Sequence, residues 1–126
     1  MKKFSKHWTA SKKPKKQRKY RYNAPLHLRQ KLVSSNLSKE LRKRYKVRSI
    51  SVRKGDSVKV MRGGFKGKTA KVASVDLRKL KVSLEGIQRT KKDGTKVTVN
   101  FDPSNLQIHE VVEDSRRFKF QKLKNK

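Results

Sequence analysis

Cysteine is missing from this 126-residue chain, which excludes disulfide staples, thiolate metal sites and a cysteine nucleophile. Acid is scarce. Nine Asp and Glu stand against 38 Lys and Arg, for a formal net charge of +29. Apolar residues make up only 32%, so part of the chain cannot bury a core and must be ordered by something else. No apolar run is long enough to span a bilayer or to serve as a signal h-region. The N-terminus, Met1-Lys2-Lys3-Phe4, opens basic and never turns apolar. Its Ser, Lys and near-absence of acid give it a faint likeness to a transit peptide, without the arginine-rich amphipathic pattern of one. His7, His27 and His109 are scattered, with no acid or nucleophile at a catalytic spacing. The expectation is a protein that is not an enzyme and takes no cofactor and no metal.

A chain this cationic repels itself when compact and needs a polyanion to neutralise it. Nucleic acid is the first candidate and an anionic membrane surface the second. The charge is unevenly placed. Residues 1–54 hold 20 Lys and Arg against one acid, Glu40, while residues 55–113 hold 12 against seven. Residues 114–126 hold six against one. The middle resembles an ordinary folded module and the flanks are polycations, the pattern of a module with nucleic-acid-binding arms. A membrane polycation would explain the charge but not the order along the chain described next, so no membrane partner is expected.

Residues 1–22 read as an extended basic arm, interrupted at Pro14, to be disordered alone and ordered on RNA. Lys6, His7, Lys12, Lys13, Lys15, Lys16, Arg18, Lys19 and Arg21 are interleaved with Trp8, Tyr20 and Tyr22. Aromatic rings stack on bases while neighbouring cations neutralise phosphates. Residues 23–49 read as two short helices. Asn23 is a suitable N-cap and Pro25 fits a first turn. Leu28 with Leu32, and Leu26 with Val33, mark a narrow apolar stripe. Ser34-Ser35-Asn36 breaks the pattern, Ser38 caps a second helix, and Leu37, Leu41 and Tyr45 repeat every four residues. The remaining surface, including Arg29 and Lys31, is cationic and suited to phosphate.

From residue 50 to 112 the period changes from 3.6 to 2. Val58 and Val60 alternate with polar residues, as do Leu80, Val82 and Leu84, then Val97, Val99 and Phe101. Leu106 and Ile108 follow. Ala70 and Val72 share a face, and Val75 falls out of phase, which predicts a bulge. Asp93-Gly94 predicts a two-residue hairpin between strands near 86–91 and 95–101. Asp102-Pro103-Ser104-Asn105 predicts a turn. The fold class is therefore mainly β: a small SH3-like barrel of about five strands, preceded by two short helices and an extended arm. Residues 113–126 are left as a basic tail with a weak helical pattern. Asp56, Asp93 and Asp102 read as turn chemistry and local charge balance.

Residues 52–72, VRKGDSVKVMRGGFKGKTAKV, resemble a KOW motif, the strand–loop–strand signature of an SH3-like barrel. Gly63, Gly64 and Gly67 allow positive φ and close backbone approach to a phosphate. Arg62, Lys66 and Lys68 surround them, and Phe65 offers a stacking face. Arg48, Arg53 and Lys54 lead into this segment and complete the candidate RNA-binding set.

The resemblance extends along the chain. Asn23-Ala24-Pro25-Leu26-His27, Leu37-Ser38-Lys39-Glu40-Leu41-Arg42, Val47-Arg48-Ser49, Val52-Arg53-Lys54-Gly55-Asp56, Asp93-Gly94-Thr95 and Pro103-Ser104-Asn105-Leu106 occur in collinear order. Over residues 7–112 the chain is similar to the archaeal and eukaryotic branch of the ribosomal L-twenty-four family, called L-twenty-six in eukaryotes. Val75-Asp76-Leu77-Arg78 and the short C-terminus lean towards the archaeal side. The resemblance implies a cytoplasmic, ribosomal protein that binds the 5′ region of large-subunit rRNA, acts early in assembly and lies near the nascent-chain tunnel exit. Its partners would be that rRNA and neighbouring large-subunit proteins, with no homo-oligomer. Ala70 departs from the glycine often found there and predicts a more regular start to its strand. A transcription elongation factor with the same barrel would need an acidic-to-neutral α/β domain ahead of it, and residues 1–49 are too short and too basic for one.

Overall fold

The computed structural model of the chain describes residues 4, 5, 7, 10–114 and 117. Among the described residues, three short helices precede or interrupt the sheet: α1 (Pro14–Asn23), α2 (Leu26–Leu32) and α3 (Lys39–Tyr45). Seven strands follow the chain as β1 (Ser34–Leu37), β2 (Ser49–Ser51), β3 (Ser57–Val60), β4 (Thr69–Asp76), β5 (Lys81–Thr90), β6 (Lys96–Phe101) and β7 (Leu106–Glu110). The sheet order is β2-β1-β7-β3-β4-β5-β6. Among the described residues only the β1–β7 pairing is parallel. The fold is mainly β and consistent with a small SH3-like, barrel-like module.

One strand turns the sheet. The first part of β4 pairs with β3, where Ala70 lies opposite Val58 in regular register. Its second part pairs with β5, and the register shifts between Val72 and Ser74. The extra residue there is the bulge that the displaced phase of Val75 predicts, and it bends the sheet over its own core. Val33, Leu37, Val58, Val60, Val72, Val82, Leu84, Leu106 and Ile108 fill that core, all at most 2% exposed. No residue of any of the three helices is buried. The helices therefore flank a β core, to which α3 adds only the partly buried Leu41 at its edge.

Several expectations are corrected. Pro14 does not interrupt an extended arm; it opens α1, where a missing N–H costs nothing. Asn23 ends α1 and does not cap α2, which starts after Pro25 without a side-chain cap. Leu26 and Val33 do not share a stripe: Leu26 is 61% exposed, while Val33 lies beyond the helix in the core. Ser34-Ser35-Asn36 is not a break but strand β1, inserted between β2 and β7. Tertiary partners hold it. Ser35 Oγ donates to the Pro103 carbonyl at 2.6 Å, and the Leu37 N–H reaches the Arg48 carbonyl at 3.0 Å. Ser38 does cap α3, accepting the Leu41 N–H at 3.4 Å, but Leu37 belongs to β1.

The strands expected near 79–84 and 86–91 form the single strand β5, which bulges where Gly86 takes φ +71°. That glycine resets the alternation, so Ile87 returns to the core beside Val82 and Leu84. The β5–β6 turn has three residues, not two. Gly94 N–H bonds to the Lys91 carbonyl at 3.1 Å, and Lys91 N–H to the Thr95 carbonyl at 2.8 Å. Gly94 takes φ +88°, the geometry of a turn followed by a left-handed residue. The expected turn before the last strand is present as a 3-10 turn over Pro103–Asn105.

Asp56 is more than turn chemistry. It is fully buried. Its carboxylate accepts the Arg53 N–H at 2.9 Å and the Val112 N–H at 3.2 Å. Arg117 reaches it from the C-terminal segment with two nitrogens, at 2.7 and 2.6 Å. Arg117 also donates to the Ser51 carbonyl at 2.7 Å. Of the segment 113–126 expected as a short helix, Glu113 and Asp114 are not helical, and beyond them only Arg117 is among the described residues. Replacing Asp56 by Ala strands a buried guanidinium and two N–H groups, so it is expected to cost about 3–5 kcal/mol in urea unfolding. Asp102→Ala, which breaks a surface pair with Lys81 (2.6 Å), should cost under about 1 kcal/mol.

Two exposed turn carboxylates titrate low. The Thr95 hydroxyl and then its N–H hold Asp93 below the ordinary 3.8, and the Lys79 N–H, helped by that of Arg78, does the same for Asp76. A lowered folded-state value means that the stabilisation is complete above about pH 5 and is lost as pH falls through the unfolded and then the folded value. A carboxyl-carbon NMR titration should give both midpoints below 3.8. Thr95→Val should raise the Asp93 midpoint and leave that of Asp76 unmoved.

Candidate nucleic-acid interface

The α1 sequence, PKKQRKYRYN, has no acid in its first turn. Lys15, Lys16, Arg18, Lys19 and Arg21 are all exposed on it, and Lys12 and Lys13 precede it, also exposed. Like charges four residues apart, such as Lys15 and Lys19, oppose the helix they sit on. Ten residues are also below the length at which an isolated helix persists. What holds α1 is at its ends and one face. Lys16 and Gln17 donate to the Lys13 carbonyl, both at 3.1 Å. The Tyr20 ring lies 5.0 Å from that of Phe4, tilted by 42°. Tyr20 is therefore partly engaged by its own chain, while Tyr22 is 81% exposed. His7 is exposed, and Lys6 and Trp8 lie outside the described residues.

Arg29 fixes the corner between α1 and α2. Its Nε donates to the Ala24 carbonyl at 2.8 Å. One terminal nitrogen bonds to the Tyr22 carbonyl and the other reaches the Arg78 carbonyl at 3.2 Å. The guanidinium thus closes the end of α1 and ties the corner to the β4–β5 turn. Expected as a phosphate ligand, Arg29 has its guanidinium nitrogens on three backbone carbonyls, where it positions this corner. Arg53 differs from expectation in the same way, since its guanidinium pairs with Asp114. Lys31, Arg48 and Lys54 are exposed.

The glycine loop between β3 and β4 is pinned at its base. Gly67 N–H bonds to the Val60 carbonyl at 2.8 Å and Val60 N–H to the Lys68 carbonyl at 2.9 Å. Gly63 and Gly67 both take φ +88°, a conformation that strains any side chain. Gly64 does not, contrary to the reading of all three glycines as left-handed, and a Cβ built there meets nothing within 4 Å. Phe65 is not a free stacking face at the tip. Its ring is half-buried against the core, edge-on to Phe101 at 6.0 Å. The Lys68 ammonium lies 5.3 Å from the ring centroid. Phe65 anchors the loop, and Arg62, Lys66 and Lys68 remain exposed around it.

The sequence reading missed Arg78 and Lys79 in the β4–β5 turn and Arg89, Lys91, Lys92 and Lys96 on the β5–β6 hairpin, all exposed. The signal was present but diluted, because neighbouring acids made this region look nearly neutral. Asp76 and Asp93 are engaged with turn N–H groups, which leaves those cations to face outwards. For the loop, Gly63→Ala and Gly67→Ala are expected to lower stability by about 1–2 kcal/mol through the left-handed φ. Gly64→Ala should be neutral or stabilising by up to about 1 kcal/mol. Chemical denaturation of the three variants checks this.

The family described as the ribosomal proteins called L26 in eukaryotes and L24 in archaea matches residues 11–126. The large ribosomal subunit protein uL24 of Korarchaeum cryptofilum (strain OPF8) is 51% identical over 98 residues, covering 78% of this chain and 75% of that protein. Among solved structures, a chain in the crystal structure of the MjSpt4:Spt5 complex, conformation B, matches half of this chain and 40% of its own length at 28% identity. Its TM-score is 0.38, too low to bear on function. A match to the family over nearly the whole chain, with a close relative over three-quarters of it, places the chain in the L24/L26 family of ribosomal proteins, as a structural, non-enzymatic constituent of the large subunit of the cytoplasmic ribosome.

Proposed function

We propose that the chain binds large-subunit rRNA through the exposed cations of α1 and the glycine loop, with the β module as their rigid support. The observation that carries this reading is the segregation of charge: 20 Lys and Arg against one acid in residues 1–54, with α1 made almost wholly of exposed polar and cationic residues. Lys and Arg displace condensed counterions from phosphates, so affinity falls as a power of salt concentration. The self-repulsion of α1 is relieved on a polyanion, and the helix orders there at an entropic cost offset by the new contacts. Gly64, bare without an internal reason, is where the loop backbone comes closest to the RNA.

The family resemblance adds finer proposals. The rRNA segment is in the 5′ region, the protein joins the subunit early, and it lies near the tunnel exit beside other large-subunit proteins. These rest on the resemblance and not on the geometry above.

Filter binding to large-subunit rRNA fragments across salt concentrations tests the central reading. About six to ten phosphate contacts would lower affinity roughly 10³- to 10⁵-fold between 50 and 200 mM salt. A flat log–log slope, or equal binding to random duplex DNA, refutes it. Gly64→Ala should weaken rRNA binding while leaving stability intact, and amide exchange in α1 should slow on adding RNA.

A further inference from the structure

Within the RNA-binding reading, on which this inference rests, one place on the surface is built unlike the rest. The α1–α2 corner and the β4–β5 turn enclose an open groove of about 550 Å³, lined by Tyr22, Ala24, Pro25, Leu26, Arg29 and Arg78. No acid lines it. Tyr22 is 81% exposed and Leu26 is 61% exposed, the two most exposed large apolar side chains among the described residues. Phosphate contact gives Leu26 nothing and uses only the hydroxyl of Tyr22, not its ring, and a paired A-form stem offers mainly phosphates and 2′-hydroxyls. An aromatic ring beside an aliphatic floor gains only from a flat apolar face, which in RNA is an unstacked base.

We propose that this groove holds one unpaired nucleotide of the RNA, its base against Tyr22, Pro25 and Leu26 and its phosphate on Arg78. The corner is preorganised for this. Arg29 holds the carbonyls of Tyr22, Ala24 and Arg78 together, so the backbone that carries the platform and the backbone that carries Arg78 are fixed relative to each other before binding. Ala24 is buried beneath them. Asp76 accepts the Arg78 N–H at 2.8 Å, which sets the turn and leaves the Arg78 side chain exposed. The occupant is nucleic acid and not an apolar peptide because the groove continues into α1, whose surface is cationic and without acid. Recognition at this corner would therefore select an RNA with a bulged or looped-out base, which the cations of α1 alone do not require.

The test uses the full-length chain with two probes, a large-subunit rRNA fragment and a fully paired RNA duplex of equal length. Tyr22→Ala should weaken rRNA binding about 5- to 150-fold, the range for losing one stacked base, with an unchanged salt slope. Tyr22→Phe should stay within about twofold. Arg78→Gln should reduce the magnitude of the salt slope by roughly one contact's worth. Duplex binding should not respond to Tyr22→Ala. The inference is overturned if Tyr22→Ala binds rRNA like wild type, if it weakens both RNAs equally, or if it spares RNA affinity but blocks entry into subunits, which would mark a protein partner. A combined Lys15→Gln, Arg18→Gln, Lys19→Gln variant separates the two readings. If that variant keeps wild-type affinity and slope, RNA binding by α1 fails as a whole. If it loses both while Tyr22→Ala is silent, only the groove fails. Both Tyr22 variants should melt with the wild type, since the ring is exposed.

Discussion

Coulomb repulsion among 38 cations with nine acids to offset them is the constraint to which the rest of this structure answers. A compact body carrying that charge throughout would not hold together. The chain places its apolar side chains in one small β core and keeps its cations on helices, turns and a hairpin outside it. No residue of α1, α2 or α3 is buried, so their cations can crowd a polyanion with little disturbance to the packing beneath. The pair of Asp56 and Arg117 inside the fold is hydrogen-bonded to the Ser51–Arg53 segment and to Val112, partners that offset the cost of burying charge.

Arginine and lysine divide the remaining roles along physical lines. Arg29, Arg42, Arg53 and Arg117 direct guanidinium nitrogens at carbonyls or carboxylates of other segments. The planar fork bonds several acceptors at once and is less strongly hydrated than an ammonium. These arginines fix the α1–α2 corner, the base of α3 and the C-terminal segment against the β module. Lysines predominate on the outer surfaces of α1 and the glycine loop, where a hydrated point charge on a flexible stem suits a phosphate. The corner that Arg29 makes is also what ties the backbone at Tyr22 and Ala24 to the backbone at Arg78.

The two classes of element differed in how much could be read in advance. The core strands of the β module were visible as period-2 alternation, and the bulge in β4 was visible as the displaced phase of Val75. The cap at Ser38 followed from one hydroxyl beside its own helix. β1 left no such trace. Ser34-Ser35-Asn36 has the composition of a break, and becomes a strand only because β2 and β7 bond to both its edges. The dual nature of arginine was equally hidden, since nothing local distinguishes Arg29 from Arg21. Phe65 read as an exposed ring because its loop is polar, and only the position of Phe101 across the fold turns it inwards.

The sequence by itself determined the segregation of charge, the β character of residues 50–112 and the left-handed turns at Gly63, Gly67 and Gly94, because alternation, net charge and left-handed φ are properties of residues and near neighbours. Tertiary structure alone decided which cations bind the protein and which face outwards, that a serine-rich segment joins the sheet, and that Asp56 is a buried anchor for a C-terminal arginine. Those outcomes depend on partners tens of residues away, brought together only when the core closes.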